Sequence, residues 1–391
     1  MYSELTSSPI FNLSMASKEL FHSNMLYWIS KTYRQQFLVI MEYLKVNTDN
    51  WPFNWRCFRE KGHFDLLIAS EDEKEYFLVI ENKVKSIPHT DQLDEYSKKV
   101  NSPNVKLLLL SLATGLPNQD KIRENGWDIK NYKDLAFAIY SILPSITNNY
   151  HRLLLEDYCN CILSLHEMQL SWNYKGDESY YTQFVEEQPK ETSLRIEDMR
   201  KKVLYSKLAA DLQKELNAKI YTNKQITDDK GKDGPGSVYV NYGMTRSMGL
   251  VDIKIRIKDN IMFVIQLQGV AYKHCVEALD KEGLDFVNKV SSILSGKRNN
   301  LENNDIIQYI IENFFFNSKE RNIINIYPFN GESIKEPNLH KNKDGNNSAY
   351  NKYGQSFIYQ YVKIIDKTTV NEVVDAIYKD VDKIILYVKN N

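Results

Sequence analysis

At 391 residues the chain exceeds the roughly 100–200 residues of a usual compact domain, so two domains, or one large elaborated α/β domain, are expected. The composition is that of a globular protein, 42% hydrophobic, 26% charged and 12% aromatic, enough for a sizeable core. Lys and Arg number 50 against 51 Asp and Glu, a formal net charge of -1, so contact with nucleic acid requires a local basic surface or metal ions bridging carboxylates to phosphates.

The longest apolar runs, KLLLLSLA and IMFVIQL, fall far short of the roughly 20 residues a membrane span needs. The opening MYSELTSSPIFNLSMASKEL has no basic segment followed by an apolar run, so no signal peptide and a soluble, cytoplasmic protein are expected. Cys57, Cys159, Cys161 and Cys275 include a CxC rather than a CxxC, and no nearby His completes a zinc set. Free, buried thiols in a reducing compartment follow.

In chain order, Ser14 is placed to cap a helix over 16–30 whose apolar stripe is Phe21, Met25, Trp28 and Ile29. Glu19, His22 and Ser23 fall on an adjacent face, at i, i+3 and i+4. A second helix spans 33–44. The period then changes to that of strands, over 53–58, 64–69 and 76–84, joined by the polar turns EKGH and SEDEKE. A helix over 90–100, an apolar buried strand over 106–112 and a helix over 131–143 follow. The order α, β, β, β, α, β predicts a mixed sheet with helices against it. A long amphipathic helix over 150–170 leads to a polar, weakly periodic stretch at 173–192, taken as the boundary between residues 1–172 and 190–391.

The stretch that carries chemistry is HFDLLIASEDEKEYFLVIENKVKS, residues 63–86. Asp65 heads one strand, and the next ends in Glu81, Asn82 and Lys83. Successive strand residues point to opposite faces, so Glu81 and Lys83 share a face and Asn82 points away. If the two strands form a hairpin, Asp65 and Glu81 converge. Two carboxylates at that range repel unless a cation lies between them, which suits a hard divalent ion. An exposed polar stripe is the bland alternative. The apolar residues around these charges argue for burial, and buried charges are rare unless paired or metal-bound.

Two further features stand beside this trio: KELFHS upstream, presenting Glu19, and DQLDEY downstream, with Gln92 and Tyr96 at i and i+4 of a helix. Together these residues resemble the PD-(D/E)XK nuclease superfamily over about residues 8–112, in element order as well as motif. The KELFHSNMLYWI opening and the IENKVKS strand are similar to those of a group of uncharacterised, defence-associated bacterial proteins. The resemblance implies a restriction-endonuclease-like αβββαβ core of mixed α/β (α+β) class, and a nuclease dependent on Mg²⁺ or Mn²⁺. Asp65 and Glu81 would be metal ligands, the Asn82 main-chain carbonyl a third, and Glu19 would complete the acidic cluster. Lys83 would orient the attacking water or stabilise developing charge. Gln92 would contact the nucleophile, the phosphate or Lys83, and Tyr96 would support it. One departure is that His63-Phe64-Asp65 stands in place of Pro-Asp. The expected partner is nucleic acid, DNA ahead of RNA, with a homodimer or partner protein left open and no membrane. The competing class is a silent nuclease fold used for binding; the intact trio argues against it.

Ser86 and His89, after the active strand, are weaker candidates for substrate contact, and His151, His166, His274 and His340 look isolated. No GxxxxGK[ST] or GxGxxG occurs. Beyond 190 the strongest helical pattern covers 196–220. Strands are expected over 237–242, 250–257, 261–267, 323–327 and 357–364, and helices over 273–288, 306–316 and 370–389. GLVDIKIRIKDNIMFVIQLQG faintly repeats the nuclease hairpin, with Asp252 standing for Asp65 and Gln266-Leu267-Gln268 for Glu81-Asn82-Lys83. Without the second carboxylate and the lysine, an ordinary hairpin is the better reading. The Lys- and Asn-rich loop over 335–355 interleaves Tyr350 and Tyr353, residue types that touch phosphates and stack bases, although a merely solvated loop is favoured.

Overall fold

The computed structural model describes residues 10, 19–84, 90–100, 104–114, 116, 119–221, 234–245, 248–295, 305–315 and 350–390. The expected Ser14 cap, Ser86, His89, His340, the strand over 323–327 and most of the loop over 335–355 lie outside the described residues. The chain divides into two compact units, 1–173 with 187–207 and 174–186 with 208–391.

The first unit opens with α1 (Glu19–Thr32) and α2 (Arg34–Tyr43), then β1 (Arg56–Lys61), β2 (Phe64–Ala69) and β3 (Tyr76–Lys83). Next come α3 (Thr90–Lys99), β4 (Lys106–Ser111), α4 (Gln119–Glu124), β5 (Trp127–Asn131), α5 (Tyr132–Ile142) and α6 (Asn149–Ser171). The five strands form one sheet in sequence order, antiparallel from β1 to β3 and parallel from β3 to β5. This is the expected mixed α/β sheet. A parallel neighbour needs a crossover, and α3 supplies it between β3 and β4.

Hydrogen bonds identify the helices on each face. Asn82 reaches Ser23 of α1 and accepts from Tyr132 of α5, whereas the Trp127 Nε1–H donates to Leu93 O of α3 at 3.1 Å and to Ser97 Oγ at 2.9 Å. Trp127 lies opposite Leu107, which stands on the same face as Glu81. The sheet is thus covered by α1 and α5 on the Asn82 face and by α3 on the Glu81 face.

Two elements differ from expectation. The first strand starts at Arg56 instead of residue 53. Pro52 and Phe53 sit in a loop whose carbonyls are claimed by a side chain: the Arg34 guanidinium donates to Phe53 O at 2.6 Å and Trp55 O at 2.7 Å. That guanidinium also lies 3.7 Å over the Trp55 ring, and Phe53 is 90% exposed. The helix expected from 131 instead begins after β5, whose last residue, Asn131, caps it. The Asn131 Oδ1 accepts from Asp134 N at 2.9 Å, while Asp134 accepts from Asn131 N at 3.1 Å, a reciprocal capping box.

The second unit carries β6 (Val238–Thr245), β7 (Met248–Lys258), β8 (Ile261–Gln268), β9 (Ala271–Ala278), β10 (Asn351–Tyr353) and β11 (Phe357–Lys363). They form an antiparallel sheet in the order β10-β11-β9-β8-β7-β6. The helix expected from residue 273 is a correction: 271–278 is a strand, because its backbone is taken by β8 on one side and β11 on the other. The helix begins only at Lys281 (Lys281–Leu294), capped by Asp280, which accepts from Gly283 N at 2.8 Å. The two-residue turn before β9 uses Gly269 at φ +53, a conformation glycine takes at little cost.

One face of this sheet meets helices. Asp380, in the helix Val370–Asn390, accepts from Tyr272 OH at 2.6 Å and lies 2.8 Å from His274 Nε2. His274 Nδ1 donates to Phe314 O at 2.6 Å, and its ring stacks on Phe314. His274 is therefore a core histidine with polar partners on both nitrogens. No described helix is long and apolar enough to cross a membrane.

Candidate active site

The β1–β2 hairpin delivers Asp65. Lys61 pairs with Phe64 across a two-residue turn in which Gly62 (φ +64) and His63 (φ +73) are both left-handed, the primed geometry that matches strand twist. The residue directly before Asp65 is Phe64, the first residue of β2, so no proline precedes the aspartate.

In the β2–β3 pair Leu66 lies opposite Ile80 and Leu67 opposite Val79, and one further step places Asp65 opposite Glu81. Cross-strand partners share a face, so Asp65, Glu81 and Lys83 do too. The Asn82 main-chain N–H donates to Asp65 Oδ2 at 2.6 Å, which fixes the carboxylate over the Glu81–Asn82 peptide. Lys83 Nζ lies 2.7 Å from Glu81 Oε1, and the two residues are 7% and 3% exposed. In an ion pair this deeply buried the attraction must offset the desolvation of both charges; removing one partner leaves the other uncompensated and costs about 3–5 kcal/mol. The bland reading of an exposed polar stripe does not describe these residues.

Asn82 points the other way. Its Nδ2–H donates to Ser23 Oγ at 2.8 Å and its Oδ1 accepts from Tyr132 OH at 3.3 Å. Next to Ser23, His22 Nδ1 lies 3.0 Å from the Tyr158 hydroxyl, and the His22 ring meets Tyr132 edge-on. All five side chains are buried. His22 and Ser23 therefore sit on the Asn82 side of β3, the face opposite to Glu81 and Lys83. They tie the helix that begins at Glu19 to the strand that carries Glu81 and Lys83. Glu19 is the first residue of α1, and its side chain lies outside what is described.

On the covering helix, Gln92 Nε2–H donates to Tyr96 OH at 2.9 Å, and the Tyr96 ring packs edge-on against Phe64, the neighbour of Asp65. The Gln-x-x-x-Tyr spacing thus yields a bonded pair beside the strand that bears Asp65. Sequence reasoning missed Tyr132 and Tyr158, which lie 50 and 136 residues from their partners. No local periodicity signals them.

Among the described residues, no three or more His, Cys, Asp or Glu side chains cluster as a metal cage. The donor set at the strand ends is two carboxylates with no thiolate or imidazole, which fits an ion that takes one or two carboxylates and completes its shell with water and phosphate. The cysteines take no part: all four are free and buried, and burial pushes the Cys57 thiol up to about 11 and Cys161 to about 12.

The first unit thus combines a mixed sheet, an acidic hairpin, a buried lysine and a bonded Gln–Tyr pair. Residues 9–160 match the family model of the PD-(D/E)XK nuclease superfamily. No curated protein and no solved structure gives a significant match to the chain.

Proposed function

We propose that the chain is a Mg²⁺- or Mn²⁺-dependent nuclease that hydrolyses phosphodiester bonds, of DNA ahead of RNA. The observation that carries this reading is the meeting of Asp65 and Glu81 across the β2–β3 pair with Lys83 buried beside them. Asp65, Glu81 and the Asn82 carbonyl would hold the ion, with Glu19 as a further acidic neighbour. When bound, such an ion acidifies its water and neutralises charge building on the phosphate. Lys83 carries its ammonium to the same face, where it orients the nucleophile or meets the developing negative charge. Gln92, held by Tyr96, lies on the helix over that face and would hold the phosphate or the nucleophile. The remaining unit would supply substrate selection or oligomer contacts. A role in defence against foreign DNA rests on the resemblance of the KELFHSNMLYWI and IENKVKS segments.

The test is incubation with plasmid, linear duplex, single-stranded DNA and RNA in Mg²⁺ and Mn²⁺, beside Lys83→Ala. Folding of the variant is monitored by circular dichroism. Equal cleavage by a folded variant overturns the mechanism. Independently, divalent metal should raise the melting temperature of wild type and not of Asp65→Ala. An equal response of both proteins counts against this site.

A further inference from the structure

The helix Val370–Asn390 and the turn that carries Phe314 pack on the face of the second sheet that presents Tyr272 and His274. The opposite face has another character. Register places Phe357 opposite Glu277, Tyr359 opposite Cys275 and Tyr361 opposite Lys273, so these three aromatic residues of β11 stand in one file on that face. Their rings follow one another at 6.2 and 6.4 Å, tilted and half-buried. Phe357 and Tyr359 lean on a small apolar cluster of Met262, Val264 and Cys275, which anchors the file from beneath.

Charge on this face is arranged around the file. Its two carboxylates are occupied within the sheet: Asp252 accepts from Gln266 Nε2–H at 2.8 Å, and Glu277 pairs with Lys254 at 2.7 Å. Lys273, in contrast, donates to two neutral amides, Gln266 Oε1 at 2.7 Å and Gln268 Oε1, and its ammonium lies 4.7 Å over the Tyr359 ring. Lys363, two residues beyond Tyr361, continues the file as an exposed cation on the same face. Arg256, also on this face, gives one N–H to Asp259 O at 3.0 Å. In a chain of net charge -1, this is a local surplus of positive charge beside a row of aromatic rings.

Aromatic rings in series with cations alongside are what an unpaired nucleic-acid strand requires. Every base offers a π-face, and the backbone offers one negative charge per nucleotide. A duplex hides its base faces and would use the cations alone. We propose that this face of the second sheet binds a single strand of DNA or RNA. Tyr361 and Tyr359 stack bases, Lys363 and Arg256 meet phosphates, and the buried Lys273 sets a positive field beneath them. The proposal deepens the nuclease reading by assigning the second unit an unpaired strand as ligand.

The test uses the full chain carrying Glu81→Gln, in chelator, with fluorescent 20-nucleotide single-stranded DNA, the matching RNA and a duplex of equal length. The single strands should bind more tightly than the duplex. Tyr361→Ala should weaken strand binding roughly tenfold, within the usual range for one stacked base, while Tyr361→Phe keeps it. Lys363→Glu should weaken binding and flatten its salt dependence by about one phosphate contact. The proposal is overturned if folded Tyr361→Ala and Lys363→Glu bind like the parent, or if no strand binds. Preference for DNA or RNA identifies the source of the strand. Binding is measured without metal, so strand binding by a wild type that cuts nothing counts against the nuclease reading alone. Cleavage unaffected by Tyr361→Ala counts against this surface alone.

Discussion

Two hairpins in this chain place an aspartate opposite another polar residue across an antiparallel pair, and they resolve its charge in opposite ways. In the first unit Asp65 comes opposite Glu81, and Lys83 follows two residues later on the same strand. In the second, Asp252 lies opposite Gln266, and the cation, Lys273, comes from the next strand, opposite Gln266. The change from carboxylate to amide decides the chemistry. Gln266 donates to Asp252 and accepts from Lys273, so the row Asp252–Gln266–Lys273 closes on itself. Glu81 can donate nothing to Asp65. Two carboxylates remain facing each other, with a lysine bound to one and a main-chain N–H to the other, and in the proposed function a divalent cation would complete them. The faint repeat in the sequence thus corresponds to a shared cross-strand geometry in which the second copy lacks the second carboxylate.

The largest effect expected from this contrast is that of Glu81→Gln, which writes the second hairpin's amide into the first. Cleavage should fall by about 10²–10³-fold or more, the scale of losing one charge-stabilising group. The rise in melting temperature with divalent metal should disappear with it. A Glu81→Gln protein that still cuts at near the wild-type rate would break the contrast.

Asn82→Leu comes next. It keeps the branched outline but removes one hydrogen-bond partner from each of the Ser23 and Tyr132 hydroxyls in the core, a loss of about 1–3 kcal/mol for each group left unsatisfied. If Asn82 positions Glu81 and Lys83, the metal concentration needed for half-maximal cleavage should also rise. Ser23→Thr should retain most of the wild-type behaviour. Lower stability with an unchanged metal dependence would reduce Asn82 to packing alone.

The reciprocal experiment, Gln266→Glu, is expected to cost about 1–3 kcal/mol at neutral pH, because Asp252 loses its donor and gains a facing anion. Divalent metal should restore part of the loss. Urea unfolding with and without Mg²⁺ measures both. A variant as stable as wild type, indifferent to metal, would show that Lys273 alone neutralises the pair.

The trio in the first hairpin was legible because strand alternation has a period of two and the flanking residues are apolar: Leu66 to Ala69 and Phe77 to Ile80 bury both faces, so the charges had to be buried with them. Gln92 and Tyr96 were legible for a similar local reason, since i and i+4 meet on a helix. Behind the strand, Ser23–Asn82–Tyr132 was not legible, because it depends on where two helices land on the far face. Strand β9 was misread because AYKHCVEA is a short apolar run that fits either period until its neighbours claim the backbone. Strand β5 was missed because WDIKN buries only Trp127 fully. The aromatic residues of β11 alternate in the sequence, but Lys273 and Arg256 beside them come from two other strands, β9 and β7.

The smallest expected effect tests the self-contained character of the second hairpin. Burial pushes the Asp252 carboxyl above its ordinary value, with the Gln266 hydrogen bond and the Lys254 and Lys273 charges pulling partly back. A raised folded value means that the native state holds this proton more tightly than the unfolded chain. Below about pH 3.9 both states are protonated and the group contributes nothing. As pH rises through the folded value, stability falls, and above it the deficit is constant. Asn at this position never ionises, and its amide oxygen can still accept from Gln266. Asp252→Asn should therefore melt slightly higher than wild type at pH 7, by no more than about 4 °C, the shift of about 1 kcal/mol in a unit of this size. The gain should shrink to nothing as pH falls toward 3.5. A variant less stable at pH 7, or a gain that persists in acid, would mean that the ionised Asp252 is stabilised by its neighbours. The second hairpin would then share the first one's hunger for positive charge, and the contrast between amide and carboxylate would no longer separate the two.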